Sequence, residues 1–208
     1  MRSLLGALLG CAAMTAVAGE LDDALRLRGD AARGKLAYEV CQGCHQPDGR
    51  GRADGAYPRL AGQLATVLIK QMTDIRGGRR DNPRMHPFAS QRMVSVQEIA
   101  DIAVFLQRLP PPSDVGKGSG AALELGARLY SRDCLDCHGP RGEGDALGFY
   151  PQLAGQHHAY LVRQTREIRD GVRRNANRDM EKLVGRYSDA EIEAVADYLS
   201  RLLITPPK

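Results

Sequence analysis

Tryptophan is absent from this chain of 208 residues, and phenylalanine occurs only three times against seven tyrosines. Aromatic side chains bury the largest apolar areas, so a chain this poor in them builds thin cores unless something else supplies apolar mass. The apolar run from Leu4 to Ala13 is well short of the roughly 20 residues that cross a bilayer, which excludes it as a membrane span. Alternation of apolar and polar residues over useful strand lengths is also missing. That argues against a sheet and leaves an all-α fold.

What the N-terminus does have is Arg2, the apolar run, and then Ala16-Val17-Ala18, the small-x-small form of a signal peptidase site. Residues 1–18 therefore read as a signal peptide, and the mature chain as a secreted, periplasmic one. Leu8-Leu9-Gly10-Cys11 offers a second processing route, a lipoprotein signal that would keep Cys11 as a lipid-modified N-terminus. If Cys11 leaves with the leader, four of the five cysteines remain.

Those four form a repeat. Cys41-Gln-Gly-Cys44-His45 returns as Cys134-Leu-Asp-Cys137-His138, an offset of 93 residues. Tyr57-Pro58-Arg59-Leu60-Ala61-Gly62-Gln63 maps at the same offset onto Tyr150-Pro151-Gln152-Leu153-Ala154-Gly155-Gln156. Gln71, Ile75, Arg76, Gly78 and Arg80 map onto Gln164, Ile168, Arg169, Gly171 and Arg173. Two copies of one domain are implied, over residues 19–109 and 121–208. Between them, residues 110–120 hold three prolines and then glycines at 116, 118 and 120, the composition of a linker rather than of packed structure.

Within each copy the apolar spacing is helical. Leu64, Val67, Leu68 and Ile75 line one face, and Ile99, Ile102, Ala103, Leu106 and Leu109 another. Ser95-Val-Gln-Glu98 and Ser188-Asp-Ala-Glu191 match the capping box, so both final helices are predicted to start at matching places.

In Cys-x-x-Cys-His, two thiols can add across the vinyl groups of a haem while the adjacent imidazole lies beneath the iron as an axial ligand. A zinc half-site would need a second ligand pair in the same domain, and a redox dithiol a βαβ context. Neither accompanies the motif. Two covalent haems c are expected, one at Cys41, Cys44 and His45 and one at Cys134, Cys137 and His138, and they would supply the apolar mass the composition lacks. With the leader removed, 28 basic and 25 acidic side chains remain, and four haem propionates take the balance to about −1. The alkaline pI of about 8.9 is thus no argument for a nucleic-acid partner.

What the iron does depends on its sixth ligand. The second copy has one methionine, Met180, in a polar stretch that reads as poor in helix. The first has Met72, Met85 and Met93, whose counterparts at the common offset for Met72 and Met93 are Thr165 and Arg186. Met85 follows Asn82-Pro-Arg as Met180 follows Asn177-Arg-Asp, and pairs with it if the loops differ by two residues. Met85 is the expected ligand, with Met93 in reserve.

Taken together, the Tyr-Pro-x-Leu-Ala-Gly-Gln and Gln-x-x-x-Ile-Arg-x-Gly-x-Arg segments and the paired haem motifs resemble the cytochrome c4 family, dihaem proteins built of two tandem class I cytochrome c domains, each wrapped around one covalent haem c. The resemblance implies His/Met ligation of both irons and periplasmic electron transfer. It implies redox partners rather than a substrate: a donor such as a bc1-type complex or a dehydrogenase, an acceptor such as a terminal oxidase, and at most loose membrane association. It also implies that Pro58 and Pro151 flank their haems, with a backbone carbonyl accepting from each axial histidine and so fixing its tautomer.

Two closed irons favour an electron carrier over an enzyme. Two other readings stay open: a dihaem subunit of a dehydrogenase complex, such as flavocytochrome c sulfide dehydrogenase, and a dihaem peroxidase, which would need a displaceable ligand. Arg76, Arg80, Arg169 and Arg173 read either as propionate donors or as solvated cationic helix ends. His86, His157 and His158 read as surface residues.

Overall fold

In the computed structural model, residues 12–203 are described, with side chains from Gly19 onward. The leader expected over residues 1–18 lies largely outside them, and Cys11 entirely so. The regular structure is helical: α1 (Ala12–Arg26), α2 (Ala31–Ala37), α3 (Gln42–His45), α4 (Ala65–Arg76), α5 (His86–Ala89) and α6 (Val96–Arg108), then α7 (Leu123–Asp133), α8 (Leu135–His138), α9 (His158–Arg169), α10 (Arg178–Val184) and α11 (Asp189–Arg201). Among the described residues, extended pairing is limited to one isolated bridge between Asp145 and Tyr150.

Both capping boxes form. Ser95 accepts from the amide of Glu98 and Ser188 from that of Glu191, while each Glu carboxylate reaches back to the serine amide. Each copy then crosses the helix before its Cys-x-x-Cys-His turn, α2 or α7, over its last helix at a glycine. A Cβ on Gly34 would lie 2.0 Å from the carbonyl oxygen of Asp101, and one on Gly126 would lie 2.2 Å from that of Ala194, so the backbones meet closer than any side chain permits. Around these crossings lie two apolar clusters. One contains Tyr38, Leu68, Ile69, Ile99, Ile102 and Leu106, and the other Tyr130, Leu161, Val162, Ile192, Val195 and Leu199.

The copies differ by one residue before the cysteines. Tyr38 opens a 3-10 turn ending at Cys41, whereas Tyr130 lies inside α7, which continues to Asp133. The tyrosines still do the same work: Tyr38 Oη donates to the carbonyl of Gln46 at 3.0 Å, and Tyr130 Oη to that of Gly139 at 2.5 Å.

The segment 110–120 is not the free linker its composition suggests. Gly116 N–H donates to His157 Nδ1, Gly118 and Gly120 N–H donate to the buried carboxylate of Asp197, and Asp114 pairs with Arg50. Its glycines permit close approach: a Cβ at Gly116 would sit 2.1 Å from the carbonyl oxygen of Ala53. The segment is strapped across both copies.

The copies dock through the repeated Tyr-Pro-x-Leu-Ala-Gly-Gln segments. Gln63 accepts from the amide of Gln152 and donates to its carbonyl, at 2.9 and 3.0 Å. Gln156 does the same to Arg59, at 2.9 Å for both bonds. A second reciprocal set joins α4 and α9: Arg80 and Arg173 each donate to both Gln71 and Gln164.

Candidate functional site

One helical turn places residues i, i+3 and i+4 on the same side of the chain. Cys41 closes its 3-10 turn directly before α3, which ends at His45; Cys134 caps α7 directly before α8, which ends at His138. The chain then reverses at left-handed positions, Gln46 (φ 67°) and Gly139 (φ 79°). Behind each turn the Pro-containing segment is held by backbone bonds. Leu60 and Ala61 N–H share the carbonyl of Gly49, and Leu153 and Ala154 N–H share that of Gly142.

This backing sets each histidine. His45 and His138 are 4% and 6% exposed. His45 Nδ1 donates to the carbonyl of Pro58 at 3.2 Å, and His138 Nδ1 to that of Pro151 at 3.0 Å. Burial holds both imidazoles below their ordinary pKa, and the carbonyl fixes the proton on Nδ1. The result is a neutral ring with the Nε2 lone pair available, the form that ligates iron. Tyr57 and Tyr150 pack against the two rings at centroid distances of 5.9 and 6.0 Å.

Cys41, Cys44, Cys134 and Cys137 form no disulfides, which leaves all four sulfurs available for thioether bonds. Among the described residues, no group of three or more His, Cys, Asp or Glu side chains is placed to hold a metal ion by protein ligands alone. Zinc by protein ligands therefore does not fit these sites. Two thiols one turn apart beside a buried, pre-oriented imidazole fit a covalent haem.

Met85 caps α5 and Met180 is the third residue of α10, both half-buried. The stretch around Met180 is thus helical, because Asn177 caps it by accepting from the amide of Asp179. Asn82 similarly accepts from the amide of Met85, so each methionine follows an asparagine-stabilised turn. Met72 packs against the first apolar cluster, and Met93 is exposed.

Arg76, Arg80, Arg169 and Arg173 are not solvated helix ends but are engaged with other parts of the chain. Arg76 donates to the carbonyls of Ala89 and Val94 and pairs with Glu20; Arg169 donates to the carbonyl of Tyr187 and pairs with Asp189 and Asp170. Both brace the chain between a methionine and the following capping box. Arg80 and Arg173 are spent on the interface described above, where burial pushes Arg173 down to about 10. Of the three histidines, His86 is exposed and His158 meets Glu193 at 3.0 Å. His157 is buried, because its two nitrogens are taken by Gly116 N–H and the carbonyl of Arg50.

Sequence reasoning gave Arg59, Gln63, Gln152 and Gln156 no role. Their signal was available: the same polar residue, glutamine, recurs at 63 and 156 inside the best-matched segment.

The sequence model of the cytochrome c family matches twice, over residues 31–110 and 123–203. Cytochrome c4 of Azotobacter vinelandii is 34% identical over 194 residues, an alignment covering 84% of this chain and 90% of that protein. The chain belongs to the cytochrome c4 family. The crystal structure of reduced recombinant cytochrome c4 from Pseudomonas stutzeri superposes with a TM-score of 0.76 at 31% identity, covering 85% of this chain and all of the other. A protein named thiosulfate dehydrogenase electron acceptor, from Stutzerimonas stutzeri strain A1501, is 38% identical over 176 residues and covers 80% of each chain. As a cytochrome c4, the chain consists of two tandem cytochrome c domains with two covalently bound haems c and is a dihaem electron carrier rather than an enzyme.

Proposed function

We propose that the two haems are held at Cys41, Cys44 and His45 and at Cys134, Cys137 and His138, with Met85 and Met180 as the sixth ligands. The observation that carries this is the matched pair of buried histidines, each oriented by a proline carbonyl with Nε2 left free. Each haem, when bound, supplies a one-electron ferric/ferrous couple whose potential a methionine ligand raises. The chain's own part is to fix the histidine tautomer, to brace the methionine loops through Arg76 and Arg169, and to keep the two sites in one fixed arrangement.

The protein works in the periplasm, taking electrons from a dehydrogenase or a bc1-type complex and passing them to a terminal oxidase or reductase. Similarity to a protein named as an electron acceptor of thiosulfate dehydrogenase supports a dehydrogenase as the donor. Among the described residues no helix is long and apolar enough to cross a membrane.

Replacing Met180 with Ala tests the ligand set. The near-infrared sulfur-to-iron charge-transfer absorption falls by half, and Met85→Ala removes the other half. An unchanged band in either variant overturns that assignment. Stopped-flow reduction by purified thiosulfate dehydrogenase tests the donor.

A further inference from the structure

The peptide unit that orients each axial histidine is bonded at its other end by the opposite domain. Pro58 contributes its carbonyl to His45 Nδ1, and the N–H of the same peptide, belonging to Arg59, donates to Gln156 Oε1 at 2.9 Å. Pro151 contributes its carbonyl to His138 Nδ1, and the N–H of that peptide, belonging to Gln152, donates to Gln63 Oε1 at 2.9 Å. All four of these interface residues are buried. The glutamines are themselves fixed. Gln63 Oε1 also accepts from Leu64 N–H and Gln156 Oε1 from His157 N–H, while each Nε2 donates back to the carbonyl of the opposing residue.

We infer that Gln63 and Gln156 are positioning residues that act crosswise, each tuning the axial histidine of the other domain through a single shared peptide. The inference rests on the proposed ligation by His45 and His138. Hydrogen bonds in series polarise one another, the more so away from water. When the glutamine oxygen draws on the peptide N–H, the carbonyl oxygen of that peptide becomes more negative and pulls harder on the histidine Nδ1–H. The imidazole gains basicity toward iron, which favours the ferric state and lowers the potential, one of the levers by which hydrogen bonding around the ligands sets redox behaviour. Domain docking is thereby written into both haems.

The crossed pattern distinguishes this from a merely structural role. In a haem-resolved redox titration of the full dihaem protein, Gln63→Leu raises the potential of the haem on His138 more than that of the haem in its own domain, and Gln156→Leu raises that on His45. In the ferrous, diamagnetic protein, the Nδ1–H proton resonance of the same crossed histidine moves upfield as its hydrogen bond weakens. Gln63→Asn, one methylene shorter, withdraws the acceptor with less disturbance and gives a shift of the same sign should the Leu variant fail to fold.

Thr66→Val is the control. It removes a different interdomain bond, from Thr66 Oγ1 to the carbonyl of Ala146 at 2.8 Å, and leaves both peptides untouched, so it moves neither haem selectively. Shifts confined to the mutated glutamine's own domain, equal shifts at both haems, or Thr66→Val shifts matching those of Gln63→Leu overturn the inference. Absence of the sulfur charge-transfer band from the wild-type protein overturns only the methionine assignment, because the crossed shift depends on the histidines.

Discussion

The two domains share a fold and a chemistry but are not interchangeable, and two of their differences lie where they touch. Position 59 is an arginine in the first copy and its counterpart 152 is a glutamine; position 64 is a leucine and its counterpart 157 a histidine. Arg59 is 1% exposed, and among the described residues no carboxylate pairs with it; its guanidinium donates to the carbonyls of Ala61 and Ala154 and to Gln152 Oε1 at 3.2 Å. Burial alone pushes its pKa down to about 10. A buried positive charge thus lies beside the peptide that serves His45, where the second domain has a neutral amide. The lesson is that the reciprocal glutamine contacts between the copies are kept while the side chains around them diverge.

A further difference lies in what a buried aspartate on each last helix holds. In domain one, Asp101 accepts from the amide of Asp30 and from Arg33; in domain two, Asp197 accepts from the amides of Gly118 and Gly120 and from Arg201. These aspartates occupy different repeat positions, one helical turn apart, yet both hold the chain entering their domain. Hydrogen bonding overcomes the burial that would otherwise raise them, and both carboxyls stay below their ordinary range.

The largest test of domain equivalence is at the crossing glycines. Gly34→Ala and Gly126→Ala each force a methyl into a carbonyl oxygen that has no room to yield, and each is expected to cost about 3 kcal/mol or more of stability. Denaturation followed at each haem should show the mutated domain failing first. A single common transition in both variants would mean that the interface, not the domain, is the cooperative unit.

An intermediate effect is expected at His157. Burial holds its pKa below the ordinary value of about 6.5, with Arg59 adding to the depression and Asp114 and Asp54 opposing it. The unfolded chain then takes up this proton at a higher pH than the folded one does. The contribution is fully present above about pH 6.5 and is lost as the pH falls toward the folded value. His157→Leu, which restores the residue of the other copy, should remove the loss of stability between pH 7.5 and 5.5 while costing about 1–3 kcal/mol at the higher pH, because Gly116 N–H and the carbonyl of Arg50 lose their partner. Urea denaturation at the two pH values measures both. An unaltered pH slope would assign the acid sensitivity elsewhere.

The smallest effect sharpens the comparison by its sameness. Ser95→Ala and Ser188→Ala each remove one capping box at a matching site and should each cost about 1 kcal/mol in thermal denaturation. Unequal losses would show that one final helix bears more of its domain than the other.

Much of this was legible in the sequence wherever a function needs only neighbours in the chain. A Cys-x-x-Cys-His turn and a Ser-x-x-Glu cap are local devices, and they lie where their spacing put them. The 93-residue offset carried the architecture, because a repeat can be seen without knowing what it packs against. What composition misjudged were residues whose partners are distant. Gly116 and Gly118 read as flexible, but glycine also serves where another backbone must come close, and composition does not distinguish the two. His157 read as surface because histidine commonly is, although its counterpart Leu64 marked an apolar position. Arg76 and Arg169 sit at helix ends where cations are favoured on general grounds, which hid that each reaches back to brace a loop.

The reciprocal glutamine contacts limit how many repeats can share one docking face. Gln63 grips residue 152 as Gln156 grips residue 59, so the same patch meets itself across the interface, the signature of an isologous, two-fold contact. A head-to-tail contact would leave an open face at each end, onto which a third repeat could be added, and a fourth. An isologous one consumes that docking face in closing. The pair is in effect a homodimer joined by a strap, and this face has no room for a third repeat.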